Sequence, residues 1–212
     1  MKMVVVAAGP PLDVYPPRIR TRARPGPGPG PGLRRTALGE ACVWAKAKAK
    51  LRLLPKIPMV MIKNRRTVVD ARLSKFIKAL QEEKDYVKIG AVGYCAGGST
   101  AIRLASTEWI QSVVICHPGR FRLPELKAIK VPSAWVCADE DKFFSKSRRM
   151  KAEATFRRRK GTEKGIDYEF EEYRGTTHGF ACRPDLAVKE MREAYEKAFE
   201  QTVRWFSKTL TV

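Results

Sequence analysis

The residues best placed for chemistry lie in Gly93-Tyr94-Cys95-Ala96-Gly97-Gly98, where a thiol stands between glycines two positions before and two positions after it. This is the G-x-nucleophile-x-G pattern, with Cys where Ser is more common. The nucleophile in this pattern sits on a tight strand-to-helix turn with strained backbone angles. The flanking positions must lack side chains, or the turn clashes with the strand and helix beside it. The turn also points the sulfur at a helix N-terminus, whose unpaired N–H groups favour a thiolate. A thiol nucleophile for acyl transfer needs a base, and the base needs an orienting carboxylate. The chain has only two histidines, His117 and His178. Both follow predicted strands, and active sites of parallel sheets gather at the carboxyl ends of strands. The chain order nucleophile, acid, histidine selects His178 as the base. Asp139-Glu140-Asp141 offers the acid, and His117 reads as a structural loop residue.

Those residues need elements to carry them. From Pro58 onward, helix-like and strand-like stretches alternate. Residues 68–83 place apolar Val68, Val69, Leu73, Phe76, Ile77 and Leu80 at helical spacing. Strands are expected at 87–94, 112–116, 131–138 and, as an outer strand, 168–173. Helices are expected at 99–104, 145–159 and 186–209. The last carries Met191, Ala194, Tyr195, Ala198, Phe199, Val203 and Phe206 on one stripe. Strands separated by helices predict a mostly parallel sheet with helices on both faces.

The net charge of +20 first suggests nucleic acid or an acidic surface. Its distribution weakens that reading. Residues 1–56 hold twelve Lys or Arg and only Asp13 and Glu40 as acids, so half of the excess lies in the first quarter of the chain. That stretch contains the apolar run from Met3 to Ala8 and the tract Arg-Pro-Gly-Pro-Gly-Pro-Gly-Pro-Gly from Arg24, which cannot bury a core. It is expected to be an irregular basic extension, leaving 57–212 as the folded domain. A nucleic-acid arm is disfavoured, because aromatics do not interleave with the basic residues. The run Arg157-Arg158-Arg159-Lys160 is expected to be a solvated helix end. Five cysteines without paired or zinc-type spacing predict free thiols in a reducing compartment, with Cys116 and Cys137 buried. That fits the cytoplasm, with a mitochondrial address as the alternative offered by the Arg-rich start. No apolar run approaches membrane-spanning length.

Three separated motifs in this order resemble the dienelactone hydrolase family: Gly93 to Gly98, then Ala138-Asp139-Glu140-Asp141-Lys142-Phe143, then His178-Gly179-Phe180. The stretch from Ala198 to Phe206 is similar to that family's last helix, and His117-Pro118 to a His-Pro that recurs in it. The resemblance covers about residues 68–210. It implies an α/β-hydrolase fold, a Cys95-Asp141-His178 triad with Asp139 as the neighbouring alternative acid, and no metal or organic cofactor. The substrates implied are small esters or lactones, cleaved through a thioester acyl-enzyme. Arg183 lies near the place where the family puts an Arg that binds a substrate carboxylate. Ala96 N–H is the oxyanion donor assignable from the sequence. The family's strands before the nucleophile strand have no legible counterpart here, so a weakly active or inactive form of the fold is the alternative reading.

Overall fold

Neighbouring parallel strands need a crossover connection, usually a helix, and this chain builds that pattern. The computed structural model describes residues 3–8, 62–83 and 86–211. Five strands pair in parallel in chain order: β1 (Met3–Ala8), β2 (Lys88–Tyr94), β3 (Ser112–Cys116), β4 (Ser133–Glu140) and β5 (Tyr168–Thr177). The described helices are α1 (Arg66–Glu83), α2 (Ala96–Leu104), α3 (Leu123–Lys127), α4 (Lys146–Arg159) and α5 (Lys189–Thr209). The chain divides into two compact units, Met1–Leu12 with Asp70–Val212, and Asp13–Val69. Of the second unit the described residues are 62–69, which include the first turn of α1.

Side chains alternate across each strand with period two. In β4, Trp135 and Cys137 enter one core, while Ala134, Val136 and Ala138 enter the other. The first core takes Ile77 of α1, Ala101 and Ile102 of α2, Leu126 of α3, and Ala152 and Phe156 of α4. Four helices on one face is what right-handed crossovers between sequential parallel strands require. Trp135 anchors this side, stacked on Phe170 at 4.9 Å and meeting Phe144 and Phe156. Among the described residues the second core is covered by α5, through Ala194, Ala198, Trp205 and Phe206, and by Phe180 and Ala181 of the loop before it.

Three expectations are corrected. Met3–Ala8 lies within the stretch expected to be irregular, yet it pairs with β2 from Met3↔Lys88 to Ala8↔Gly93 and joins the sheet. Its partner lies far along the chain, so nothing local announces it. The rest of the 1–56 extension, with its nucleic-acid reading, and Cys42 lie outside the described residues. On α5 the buried stripe runs through Ala194, Ala198, Gln201, Thr202, Trp205 and Phe206, leaving Phe199 and Val203 exposed. Small Ala side chains let that side of the helix approach the sheet closely, and Trp205 fills the space beyond them. At the end of α4, Arg159 is not simply solvated. It donates to the carbonyls of Ile129 and Lys164 and lies over the Phe156 ring. Cys116 and Cys137 are buried free thiols, and Cys95 and Cys182 are partly exposed free thiols. No described helix is long and apolar enough to cross a membrane.

Candidate active site

The site forms where β2, β3, β4 and β5 end. Cys95 follows β2 and starts α2, with φ 52° and ψ −118°. A non-glycine residue rarely adopts this region, and its cost persists only where the surroundings enforce it. They do so here. Cys95 N–H donates to Cys116 O at 3.2 Å, and its carbonyl accepts from Gly98 N–H at 3.0 Å and Gly119 N–H at 2.8 Å. The glycine two residues before it is equally constrained. A Cβ on Gly93 would fall 2.3 Å from Gly97 O and 2.7 Å from the Ala101 Cβ. A side chain at Gly93 is therefore excluded by the backbone of the helix it faces.

The three side chains of the expected triad meet. His178 Nε2 lies 3.1 Å from Cys95 Sγ, and His178 Nδ1 lies 2.9 Å from Asp141 Oδ2. The Asp141 side chain is nearly closed to solvent. Its other oxygen, Oδ1, accepts from the backbone N–H groups of Phe143 at 2.7 Å and Phe144 at 3.1 Å. Asp139 points elsewhere, its Oδ2 accepting from Gly175 N–H at 3.1 Å. Of the two candidate acids, Asp141 faces the histidine.

The electrostatics follow from these contacts. The hydrogen bond to His178 lowers the Cys95 thiol from its usual value. Burial opposes this, and the Ala96 N–H and the Arg183 charge reinforce it. Burial resists charge on His178, but its hydrogen bonds to Asp141 and Cys95 outweigh burial and raise it to about 9. Burial also works against ionised Asp141, yet the His178 contact and the two backbone donors hold it below the usual carboxylate range. These contacts favour the thiolate–imidazolium pair over the neutral thiol and imidazole.

Ala96 is exposed at the first turn of α2, with its N–H toward the sulfur. Arg183 is exposed, one residue beyond Cys182, and its charge reaches Cys95. A cavity of about 460 Å³ borders His178 on the acid side, lined also by Asp139, Lys142, Phe143 and Lys146. No cluster of three or more His, Cys, Asp or Glu able to hold a metal occurs among the described residues.

The sequence reading missed Arg149. It lies in a basic run, but its side chain is buried, and it pairs with Glu172 at 2.9 Å. Its Nη1 donates to the carbonyls of Ala138, Asp139 and Phe144, bracketing the loop that carries Asp141. Its spacing from Ala152 and Phe156, three and seven positions on, was the available signal that it shares their buried helix face.

A parallel sheet with a thiol on a tight strand-to-helix turn after one strand, and a carboxylate and a histidine after the last two, has the arrangement of the α/β-hydrolase fold. Comparison with known proteins narrows the class. A profile of the dienelactone hydrolase family matches residues 52–210, and the chain belongs to that family. It is 33% identical over 139 residues to hydrolase tropI of Talaromyces stipitatus, covering 66% of this chain and 53% of that protein. It is 28% identical over 141 residues to hydrolase pyvD of Aspergillus violaceofuscus, covering 66% and 56%. The chain thus spans about half the length of the curated relatives it matches. A putative dienelactone hydrolase structure from Klebsiella pneumoniae superposes with a TM-score of 0.57 at 14% identity, covering 71% of this chain and 66% of that one. A dienelactone hydrolase-like promiscuous phosphotriesterase from metagenomic libraries gives 0.52 at 19%, covering 74% and 67%. At these identities the structural likeness is one of fold.

Proposed function

We propose that the protein hydrolyses small carboxylic esters or lactones with Cys95 as nucleophile, His178 as acid and base, and Asp141 as the residue that orients His178. The observation that carries this reading is the continuous contact from Asp141 through His178 to the Cys95 sulfur. The thiolate attacks the ester or lactone carbonyl and forms a C–S bond, placing the negative charge on the carbonyl oxygen. Ala96 N–H, at the positive end of α2, donates to that oxygen. The tetrahedral adduct collapses, and the C–O bond to the leaving alcohol breaks. His178 gives its proton to the departing oxygen, leaving a thioester on Cys95. Neutral His178 then takes a proton from water, which attacks the thioester. Collapse of the second adduct releases the carboxylic acid and the thiolate, and His178 is again protonated. Asp141 stays ionised throughout and holds Nδ1.

A second amide donor to the oxyanion generally comes from the strand beside the nucleophile strand. β1 occupies that place, and Ala8 pairs with Gly93, so its carboxyl end arrives next to the elbow. Arg183 supplies positive charge on the same rim, suited to a substrate that carries its own carboxylate.

Hydrolysis of p-nitrophenyl acetate tests the reading. Cys95→Ala is expected to lower kcat/KM by roughly 10³-fold or more. Turnover undiminished by that change would exclude Cys95 as nucleophile. Absence of turnover in the unchanged protein would favour the weakly active alternative.

A further inference from the structure

The histidine outside the triad occupies a costly position. His117 is fully buried, and neither ring nitrogen has a hydrogen-bond partner among the described residues. An apolar residue of similar volume would avoid the penalty of burying unpaired polar atoms. Its backbone is strained too, at φ 33°, and the proline that follows narrows its choices further. This strain lies beside the nucleophile. Cys116 O accepts from Cys95 N–H, and Gly119 N–H donates to Cys95 O. His117-Pro118 is the bend between those two backbone bonds. Backbone strain of this kind gathers at functional sites.

The ring itself meets the triad. Its centroid is 5.2 Å from that of His178 at an interplanar angle of 68°, with Phe180 at 5.8 Å and Tyr94 at 6.1 Å. Burial first, and then the charge of His178, push His117 down to about 4; Asp141 and Arg183 also bear on it. It is therefore uncharged at neutral pH, when His178 is charged. A neutral aromatic ring tolerates a cation against it, whereas a second cation would not.

The two hydrogen bonds of His178 run along the line from Asp141 to Cys95. They leave the tilt of the ring about that line to be set by packing. Among the described residues two rings meet it. Phe143 lies 4.8 Å away but is 42% exposed, whereas His117 is closed to solvent and fixed by its bend.

We propose that His117 is a positioning residue for His178, its ring packing edge-to-face on the imidazole and keeping Nε2 turned toward the Cys95 sulfur. This inference rests on the triad reading above.

His117→Leu keeps apolar bulk without a flat ring, and His117→Phe keeps a ring without nitrogens. Three measurements separate the outcomes: p-nitrophenyl acetate kinetics, the pH midpoint of Cys95 alkylation by iodoacetamide, and thermal melting. His117→Leu is expected to lower kcat about 10–100-fold with KM near the starting value, and to raise the alkylation midpoint. His117→Phe is expected to recover most of both. Should the Leu variant not fold, His117→Gln serves as the ringless comparison. A ringless variant that melts earlier but keeps kcat and the midpoint overturns the proposal, because the role is then structural. Equal losses in the Phe and ringless variants overturn it in favour of the nitrogens. If Cys95 in the unchanged protein alkylates with the midpoint of an ordinary thiol, the triad reading fails, and this inference with it.

Discussion

His178 Nε2 stands 3.1 Å from the Cys95 sulfur although 83 positions separate the two residues in the chain. Backbone bonds fix the residues on either side of the imidazole. Cys95 is held at both its N–H and its carbonyl, and Asp141 by two backbone N–H groups. The histidine lies on a loop whose next residue, Gly179, has φ 97°. The geometry therefore depends on contacts that can be removed one at a time.

The two aspartates of the acid loop are separable by substitution. Asp141→Asn removes the charge that holds Nδ1 and is expected to lower kcat roughly 10²–10⁴-fold. Asp139→Asn alters an exposed group bonded to Gly175 N–H and is expected to leave kcat within about threefold. Steady-state ester hydrolysis by the two variants checks this. Equal losses would contradict the assignment.

The charge states set a pH window. Cys95 is lowered from an ordinary 9.0, chiefly by its bond to His178, so its thiolate is present once the pH passes that lowered value. His178, raised to about 9, keeps its proton until the pH climbs through that value. The rate with an alkyl ester, whose poor leaving group needs the imidazolium proton, is expected to rise on an acid limb below 9.0 and fall on an alkaline limb near 9. His178→Gln should abolish the alkaline limb and move Cys95 alkylation by iodoacetamide up toward pH 9.0. An unmoved alkylation midpoint would show that the two groups do not interact.

Gly93→Ala tests the elbow as a backbone device. The added methyl would lie 2.3 Å from the Gly97 carbonyl oxygen, an atom of a helix that cannot step aside. A loss of about 3 kcal/mol in unfolding free energy is expected, at the upper end of overpacking costs. Urea denaturation measures it. A loss below roughly 1 kcal/mol would mean that the turn relaxes more easily than its contacts imply.

Arg149→Leu tests the support of the acid loop. It leaves the Ala138, Asp139 and Phe144 carbonyls without this donor and Glu172 without its cation. Glu172 is exposed, so the ion pair itself contributes little, and the loss of the buried donor to these carbonyls is expected to cost about 1–3 kcal/mol. Because the loop carries Asp141, kcat is expected to fall together with stability. Denaturation and ester hydrolysis on one preparation read both, and a stable variant with full activity would remove Arg149 from the account.

The elements legible in the sequence were those whose cause is local. Gly-x-Cys-x-Gly announces its turn because the clash that excludes side chains at Gly93 involves Gly97 and Ala101, within eight residues of it. The run Ser112–Cys116 reads as a strand because all five residues are buried. His178 followed from chain order, which the topology of the sheet converts into proximity.

What the residue string left open was settled by partners distant in sequence. Asp139 and Asp141 are chemically alike and two positions apart. Only the end of β4, with its shift of register between Ala138 and Glu140, gives Asp139 to Gly175 and turns Asp141 toward His178. Met3–Ala8 became a strand because β2 offered it an edge, and strand pairing is not encoded within six residues. Arg149 is buried among solvated basic neighbours because α4 docks on β4 with that side inward. The sequence determined the chemistry the chain can attempt, since side-chain type and short-range sterics are local properties. Tertiary structure decided which of those groups meet, because a contact of 3 Å between residues tens of positions apart is a property of the sheet that brings them together.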